Sequence, residues 1–162
     1  MIILTIVAAY LGNTQAEYRL GYAYLYGVGI TRNNKAAEQW LLKAAEQGSA
    51  AAGKSWSHLV LRLSACWDQQ NPSYKQYDWY HLIVRKAQLN NRPAQFQLGL
   101  LLQYGQAYTL MPQALVWYHR AADGYYPPAL LKLGFIYDKG LGVKPDKWRA
   151  RYYLRLARLD WR

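Results

Sequence analysis

The chain has 162 residues, which is enough for one domain with a continuous hydrophobic core. Its composition, 52% hydrophobic and only 18% charged, excludes an intrinsically disordered chain. The net charge is +11, from 20 Lys and Arg against 9 Asp and Glu, and its excess is uneven along the chain.

The first predicted element is a helix over residues 2–11. The segment 8–16 has the pattern Ala-Ala-x-x-Gly-x-x-x-Ala, and the same spacing returns at 44–52, 36 residues later. Residues 2–11 are therefore predicted as the second helix of a repeat unit whose first helix is missing. The alternative interpretation is a secretory signal, although this apolar segment lacks a cationic start. No segment reaches the roughly 20 apolar residues that cross a membrane.

A Leu-Gly pair followed six residues later by another Gly occurs three times along the chain. These sets are Leu20-Gly21 with Gly27, Leu98-Gly99 with Gly105, and Leu133-Gly134 with Gly140. Each set is followed by a block rich in alanine and aromatic residues that ends in a turn. Repetition at a fixed spacing predicts a stack of short helix pairs, an architecture that usually holds another macromolecule.

The spacing of the repeats predicts a single repeat domain over residues 1–162. The domain consists of a half-unit over residues 1–15 and four units over about residues 16–51, 52–93, 94–128 and 129–162. The second unit is the most degenerate of the four. Its extra residues are predicted to form an enlarged loop between its helices, over residues 66–73, where a proline lies in a polar stretch.

The repeated glycines have predicted mechanical roles. Glycine inside a helix costs about 1 kcal/mol relative to alanine. The chain accepts that cost at one register in three units, which predicts close contact between helices at Gly21, Gly99 and Gly134. Gly48 and Gly124 follow the second helices of their units and are predicted as left-handed C-caps.

These residues resemble the Sel1-like repeat, a relative of the tetratricopeptide repeat. In the first unit the pattern of that family falls on Ala16, Leu20-Gly21, Tyr24, Gly27, Gly29, Ala37, Trp40, Ala44-Ala45 and Gly48. In the fourth unit it falls on Ala129, Leu133-Gly134, Tyr137, Gly140, Gly142, Asp146 and Ala150. The resemblance implies an all-α fold, a right-handed α/α superhelix or solenoid of helix-turn-helix repeats, and a role in protein–protein interaction.

Helix geometry selects the residues that would bind a partner. In tetratricopeptide-type stacks the first helix of each unit lines a concave groove, and a fixed set of positions around its Leu-Gly pair is free. The aromatic and basic side chains predicted to bind a partner there are Tyr18, Tyr22, Tyr26, Lys54, His58, Arg62, Phe96, Tyr104, Phe135 and Lys139. The alternative is that these side chains pack against the neighbouring unit. Burial of Tyr22, Tyr26, Phe96 and Tyr104 distinguishes the two.

The C-terminal part of the chain is strongly basic. From Lys139 onward it has eight Lys and Arg residues against two Asp residues. A solvated capping face, an acidic protein partner and a nucleic acid are the three interpretations of this charge. The chain has no known nucleic-acid motif, so nucleic acid is the lesser alternative.

Motifs of enzyme chemistry are absent from the sequence. There is no Gly-x-Ser-x-Gly, Ser-x-x-Lys, phosphate-binding glycine loop or His-Glu-x-x-His. The histidines His58, His81 and His119 lie in different units, and the few carboxylates form no metal-binding cluster. We therefore predict no catalytic residue, no cofactor and no metal. A polar constellation around His58 and Arg62 would be the starting point for an enzyme.

Cys66 is the single cysteine, so no disulfide forms within the chain. We expect its side chain to be a small buried or half-buried apolar group, with a reactive thiol as the alternative. Both the cytoplasm and the periplasm of a bacterium are compatible with this cysteine usage.

The predicted function is that of a non-enzymatic bacterial protein that binds one protein partner, of acidic character, in its groove and at its basic C-terminal face. The resemblance implies two more specific roles. One is an immunity protein that neutralises a secreted antibacterial toxin, including effectors of type VI secretion. The other is a regulatory or scaffolding adaptor in signalling or envelope function.

Overall fold

In this computed structural model, residues 2–65, 79–104 and 110–159 are described. Within these ranges every regular element is an α-helix, which confirms the predicted all-α class. The helices there are α1 (Ile2–Tyr10), α2 (Thr14–Tyr26), α3 (Asn34–Glu46), α4 (Ala50–Ala65), α5 (Trp79–Gln88), α6 (Arg92–Tyr104), α7 (Met111–Asp123), α8 (Pro127–Lys139) and α9 (Lys147–Leu159). Cys66 and the enlarged loop predicted over residues 66–73 lie outside the described residues.

The helices are divided between two structural units, residues 1–63 and residues 64–162. In the first structural unit, residues 1–63, α2 packs against both α1 and α3. In the second structural unit, residues 64–162, each helix from α5 to α8 packs against the helix that follows it. None of the described helices is long and apolar enough to cross a bilayer. The single repeat domain and its four unit boundaries stay a prediction.

The close helix contacts predicted at the Leu-Gly glycines are confirmed. A Cβ atom on Gly21 would lie 2.8 Å from Cγ of Leu41, and one on Gly134 would lie 2.6 Å from Cγ of Leu154. A Cβ atom on Gly99 would overlap the ring of Tyr118. Each contact joins the two helices of one pair: α2 with α3, α8 with α9, and α6 with α7. Glycine at these positions lets a large side chain of the second helix lie against the backbone of the first.

One turn geometry recurs at four places between the helix pairs. In each turn one residue has a left-handed backbone, and the N–H of the next residue donates to a carbonyl oxygen five residues earlier, at 3.0 to 3.2 Å. The left-handed residues are Gly12 (φ 83°), Gly48 (φ 95°), Asn90 (φ 60°) and Tyr125 (φ 57°). The left-handed cap predicted at Gly48 is therefore confirmed.

The left-handed cap predicted at Gly124 is wrong. Gly124 has φ −88°, and the left-handed position is taken by the next residue, Tyr125. The reason is register, because Tyr125 follows Ala122 by three residues just as Gly48 follows Ala45. A Cβ atom on Gly124 would overlap the exposed side chain of Arg92.

Each of these turns also starts the next helix. The side chains of Asn13, Ser49 and Asn91 accept hydrogen bonds from backbone N–H groups three residues later, at 2.9, 3.2 and 2.9 Å. Tyr126 makes no such bond, and Pro127 and Pro128 occupy the first turn of α8 instead, where a missing N–H is tolerated. Ser49 and Asn91 bracket the degenerate second unit, so the repeat geometry is kept at both of its ends.

Candidate binding surfaces

Three tyrosines form a ladder along one face of α2. Tyr18, Tyr22 and Tyr26 are spaced four residues apart, which places them on one side of the helix. Their ring centroids are 6.3 Å apart for Tyr18 and Tyr22 and 4.5 Å apart for Tyr22 and Tyr26. Tyr22 is 43% exposed and Tyr26 is 58% exposed, whereas Tyr18 is half-buried. This tyrosine ladder therefore exposes two aromatic rings to solvent.

A buried carboxylate fixes the rotation of α2 that turns the tyrosine ladder outward. Glu17 is fully buried, and its Oε1 lies 2.8 Å from Nζ of Lys43 on α3. Its Oε2 accepts a hydrogen bond of 2.7 Å from Nε2 of Gln47, the residue that follows α3. Because removing one partner would leave a buried charge unpaired, this arrangement favours a single packing of α2 on α3.

A cavity of about 270 Å³ lies beside the tyrosine ladder. Its wall is mostly apolar and is formed by α1, α2 and the turn that follows α2. The lining residues are Ile2, Thr5, Arg19, Tyr22, Ala23, Val28 and Gly29. The cavity is therefore bounded on two sides by helices and contains one strongly basic side chain, Arg19.

The structure places Lys54, His58 and Arg62 on one exposed face of α4, at a spacing of four residues. The opposite face carries Trp56 and Val60, which are buried. The predicted basic side chains of the second repeat are thus exposed, as a binding role requires, and that role stays a prediction.

The expectation that Phe96 is exposed is wrong. Its side chain is completely buried, and its ring centroid lies 5.8 Å from that of Tyr118 on α7 and 5.8 Å from that of Tyr126 in the following turn. The equivalent residue of the first unit, Tyr18, is half-buried. Phe96 is a core residue because two aromatic rings from later elements of the chain cover it.

Tyr104 is half-buried and belongs to a polar network that sequence reasoning missed. Its hydroxyl oxygen accepts a hydrogen bond of 2.7 Å from Nζ of Lys132 on α8. Burial lowers the pKa of Lys132 to about 8 and raises the pKa of Tyr104. The buried hydroxyl of Tyr118 donates to Oε1 of Gln103 at 2.7 Å. The network therefore joins α6, α7 and α8.

The last two predicted residues, Phe135 and Lys139, are exposed on α8. Nζ of Lys139 lies 3.7 Å from Asp138, whose carboxylate is held more closely by Lys147 at 2.7 Å. The hydrogen bond from Lys147 lowers the pKa of Asp138. Part of the positive charge at the start of α9 is therefore neutralised within the chain.

The outward face of α9 carries an aromatic pair that the sequence analysis did not single out. The rings of Trp148 and Tyr152 are parallel within 4°, with centroids 5.9 Å apart. Trp148 is 74% exposed and Tyr152 is 49% exposed. Helical spacing puts Arg151 and Arg155 on the same face, and both are exposed. We call the set Trp148, Arg151, Tyr152 and Arg155 the α9 surface. The i, i+4 spacing of Trp148 and Tyr152 was the signal available in the sequence.

The packing of the repeat does not require aromatic residues at these two positions. In α3 the equivalent residues, 113 positions earlier, are Lys35 and Gln39, and both are exposed. The inward face of α9 is formed by Ala150 and Ala157, which are buried. Trp148 and Tyr152 therefore add apolar area to a face that in α3 is polar.

The sequence model of the Sel1 repeat matches residues 14–49, 92–126 and 127–158. The chain belongs to the Sel1 repeat family. The match confirms the predicted solenoid fold of Sel1-like helix-turn-helix repeats, and it leaves out most of the degenerate second unit.

Two curated proteins align with most of this chain. Chitin synthase regulatory factor 2 of Schizosaccharomyces pombe is 28% identical over 135 residues, 81% of this chain. An uncharacterized protein of Neisseria meningitidis serogroup B is 28% identical over 150 residues, 90% of this chain. The chain spans 26% and 29% of the lengths of these two proteins.

Two solved structures are also similar. A Sel1 repeat protein from Oxalobacter formigenes is 26% identical, with a TM-score of 0.46, and the alignment covers 99% of this chain and 45% of that one. A protective antigen of uropathogenic Escherichia coli is 24% identical, with a TM-score of 0.48, and the alignment covers 98% of this chain and 41% of that one.

Sel1 repeats generally act as protein-interaction and adaptor modules and are typically not enzymes. In the described part of this Sel1 repeat chain, no three His, Cys, Asp or Glu side chains lie close enough together to hold a metal ion.

Proposed function

We propose that this Sel1 repeat chain is a non-enzymatic binding module whose α9 surface holds an acidic segment of a partner protein. The observation that carries the proposal is the parallel, exposed pair of Trp148 and Tyr152 with Arg151 and Arg155 on the same face. Trp, Tyr and Arg are the residue types that most often dominate the binding energy of protein interfaces.

The charge of the α9 surface supports an acidic partner. Among the described residues no carboxylate pairs with Arg151 or Arg155, whereas Lys147 and Arg149 are paired with Asp138 and Asp146. Two guanidinium groups that no described carboxylate pairs with, beside an apolar surface, are suited to carboxylates flanking an apolar or aromatic side chain. They would also accelerate association with an acidic protein by electrostatic steering.

A single-stranded nucleic acid is a less suitable occupant of this surface. Base-stacking sites offer exposed aromatic faces to successive bases. Trp148 and Tyr152 are 74% and 49% exposed, so their exposure alone does not decide between the two classes of partner. Membership of a family of protein-interaction modules supports a protein partner.

The experiment is a selection of binding peptides from a displayed random library against the whole chain, followed by affinity measurements. We expect the enriched peptides to be acidic and to contain apolar or aromatic residues. The double variant Trp148→Ala/Tyr152→Ala should weaken their binding at least about tenfold. The matched control Lys35→Ala/Gln39→Ala changes the equivalent positions of α3 and should leave binding unchanged.

Two outcomes would overturn the proposal. One is a set of enriched peptides without acidic character, or with affinity that the α9 double variant does not change. The other is displacement of the peptides by a single-stranded oligonucleotide at moderate salt, which would favour the nucleic-acid alternative.

An immunity protein and a regulatory adaptor would both use such a surface. A photo-crosslinking residue in place of Arg155, in cells that express the chain, would attach the partner in the bound state. A secreted toxin that loses activity on binding would support the immunity role. A cellular regulatory or envelope protein would support the adaptor role.

The tyrosine ladder is the second proposed contact surface, and it belongs to the first unit. Its support is the exposure of Tyr22 and Tyr26, since tyrosine contributes large contact area at low entropic cost. Loss of partner binding in Tyr22→Ala/Tyr26→Ala, with an unchanged helical circular dichroism spectrum, is the expected result. Unchanged binding would restrict the interface to the second structural unit, residues 64–162.

A further inference from the structure

A cation and a tryptophan make the same contact on α3 and on α7. Nζ of Lys43 lies 5.0 Å from the ring centroid of Trp40, and Cζ of Arg120 lies 4.7 Å from that of Trp117. The two tryptophans are 77 positions apart in the sequence, and so are the two cations. The cations therefore hold equivalent positions on the second helices of two Sel1 repeats.

These two cations differ in their counterion. Nζ of Lys43 lies 2.8 Å from the carboxylate of Glu17, which is buried on α2. The first helices of the two repeats correspond at a spacing of 78 positions, as their Leu-Gly pairs show, so Gln95 on α6 takes the place of Glu17. Gln95 is buried and uncharged, and its Nε2 donates to the carbonyl oxygen of Ala87 at 3.2 Å. Arg120 is exposed and, within the described ranges, pairs with no carboxylate.

Helix α7, which carries Arg120, lies beside the helix that carries the α9 surface. The two are the second helices of successive repeats, and Nδ1 of His119 on α7 is 3.3 Å from the hydroxyl of Tyr153 on α9. The ring of Tyr153 contacts that of Tyr152 in the α9 surface, with centroids 5.3 Å apart. One turn before Arg120, Val116 holds the position equivalent to Tyr152 and is 51% exposed. The outward faces of α7 and α9 are therefore parts of one continuous surface.

We propose that the acidic partner segment at the α9 surface continues across α7, where one of its carboxylates pairs with Arg120 and an apolar side chain contacts Val116. This inference rests on the proposed function of the α9 surface. The ring of Trp117 holds the guanidinium group of Arg120 in place, and a guanidinium binds a carboxylate through two parallel hydrogen bonds. The partner would thus supply to α7 the counterion that Glu17 supplies within the chain to α3.

The separation of the two helices determines the spacing of the acidic residues in the partner. The axes of packed helices are about 8–10 Å apart. An extended chain advances about 3.3 Å per residue, so about three residues span that distance. We therefore expect two acidic residues about three positions apart in the partner segment, one for Arg120 and one for Arg151 or Arg155. The apolar residues between them would lie over Val116 and the aromatic pair of the α9 surface.

The probes are the acidic peptides selected on the whole chain, each synthesised with one acidic residue at a time changed to lysine. Their affinities are measured by fluorescence anisotropy. We expect Arg120→Glu to weaken binding of the unchanged peptides at least about tenfold. The peptide with lysine at the position that pairs with Arg120 should bind the natural chain weakly and regain affinity for Arg120→Glu. The matched control Lys35→Glu makes the same change of charge at an exposed position of α3 and should have no effect.

The variants separate this inference from the proposed function. Affinity that Arg120→Glu leaves unchanged, while Trp148→Ala/Tyr152→Ala weakens it, would overturn the extension across α7 and leave the proposed function in place. Equal losses in Arg120→Glu and Lys35→Glu would also overturn the extension, because net charge would then cause the loss. A loss in Arg120→Glu without a loss in the α9 double variant would contradict the proposed function, since the segment would then bind α7 alone.

Discussion

The ammonium group of Lys132 is buried against Tyr104, with 2.7 Å between Nζ and the phenol oxygen, and the centroid of that ring lies 4.6 Å from the same Nζ. The ammonium thus has a hydrogen-bond acceptor and an aromatic face in place of a carboxylate. A cation–π contact is worth about 2 kcal/mol when desolvated, less than the cost of burying a charge without a counterion.

This relationship predicts that the free energy of unfolding rises with pH between about 8 and 10. The folded pKa of Lys132, about 8, lies below its ordinary value of 10.5, so the unfolded state binds more protons in this window. The rise should be about 3 kcal/mol in full, and the raised pKa values of Tyr104 and Tyr118 limit it above pH 10. Urea unfolding at pH 7 and pH 9.5 should show about 2 kcal/mol of this rise in the free energy of unfolding. In Lys132→Met the free energy of unfolding should change little over this pH range. An equal rise in that variant would show that Lys132 does not cause the pH dependence.

A second prediction concerns the strained turn residue Tyr125. Its left-handed backbone, φ 57°, costs a non-glycine residue about 1–2 kcal/mol, and its side chain is 63% exposed. Tyr125→Gly should therefore stabilise the chain by about 0.5–1 kcal/mol after the greater entropy loss of glycine is subtracted. Thermal unfolding of this variant is compared with Gly48→Ala, which should be destabilised by about 1–2 kcal/mol at the equivalent position. A destabilised Tyr125→Gly would show that the ring makes a stabilising contact.

A third prediction uses the contact between Gly99 and Tyr118. Gly99→Ala should destabilise the chain by about 1–3 kcal/mol because the added methyl group overlaps a buried ring, despite the better helix propensity of alanine. In Tyr118→Ala the same alanine should cost less, since the ring that the added methyl group overlaps is then absent. A double-mutant cycle by urea unfolding measures this coupling. Additive effects of the two changes would mean that the ring does not limit the space at residue 99.

A fourth prediction concerns His119, which lies between two tyrosine hydroxyls. Its Nε2 is 3.2 Å from the hydroxyl of Tyr137 and its Nδ1 is 3.3 Å from that of Tyr153. Burial, partly opposed by Asp123 and reinforced by Arg149, lowers the pKa of His119 below 6.5. The unfolded state therefore binds more protons as pH falls below 6.5, so stability declines on acidification.

The measurement for His119 is a titration of the histidine ring resonances by nuclear magnetic resonance, assigned with His119→Gln. We expect the His119 resonance to titrate at a lower pH than an unperturbed histidine. The acid sensitivity of unfolding between pH 6.5 and 5 should be smaller in the variant. A His119 resonance that titrates at or above pH 6.5 would contradict the burial argument.

The repeated Leu-Gly pairs correctly predicted where two helices pack closely together. Glycine within a helix is destabilising, so its presence at the same position of three helices indicates that a neighbouring helix leaves no room for a side chain. Gly21 and Gly134 could therefore be placed against a neighbouring helix before their contacts with Leu41 and Leu154 were known. The local signal and the packing agree at these positions, which is why the sequence alone was sufficient.

Residues whose environment depends on distant elements were not predictable in the same way. Phe96 and Tyr22 were predicted as groove residues by the same rule, yet Phe96 is buried because Tyr118 and Tyr126 cover it, and Tyr22 is exposed. Lys132 was overlooked because its acceptor, Tyr104, lies 28 positions earlier on another helix. Position within a helix predicts the direction of a side chain, whereas exposure is decided by what the rest of the chain places over it.

The four left-handed turns between successive helix pairs have a consequence for how such a chain can change in length. Because each turn ends one helix with the same backbone hydrogen bond and starts the next helix at once, joining Gly12 directly to Ser49 would create a junction of a kind the chain already contains. Recombination within a gene at these points can thus delete or duplicate a whole helical pair while leaving every remaining boundary intact. The number of pairs, and with it the area available to partners, is free to vary through evolution without the invention of a new connection.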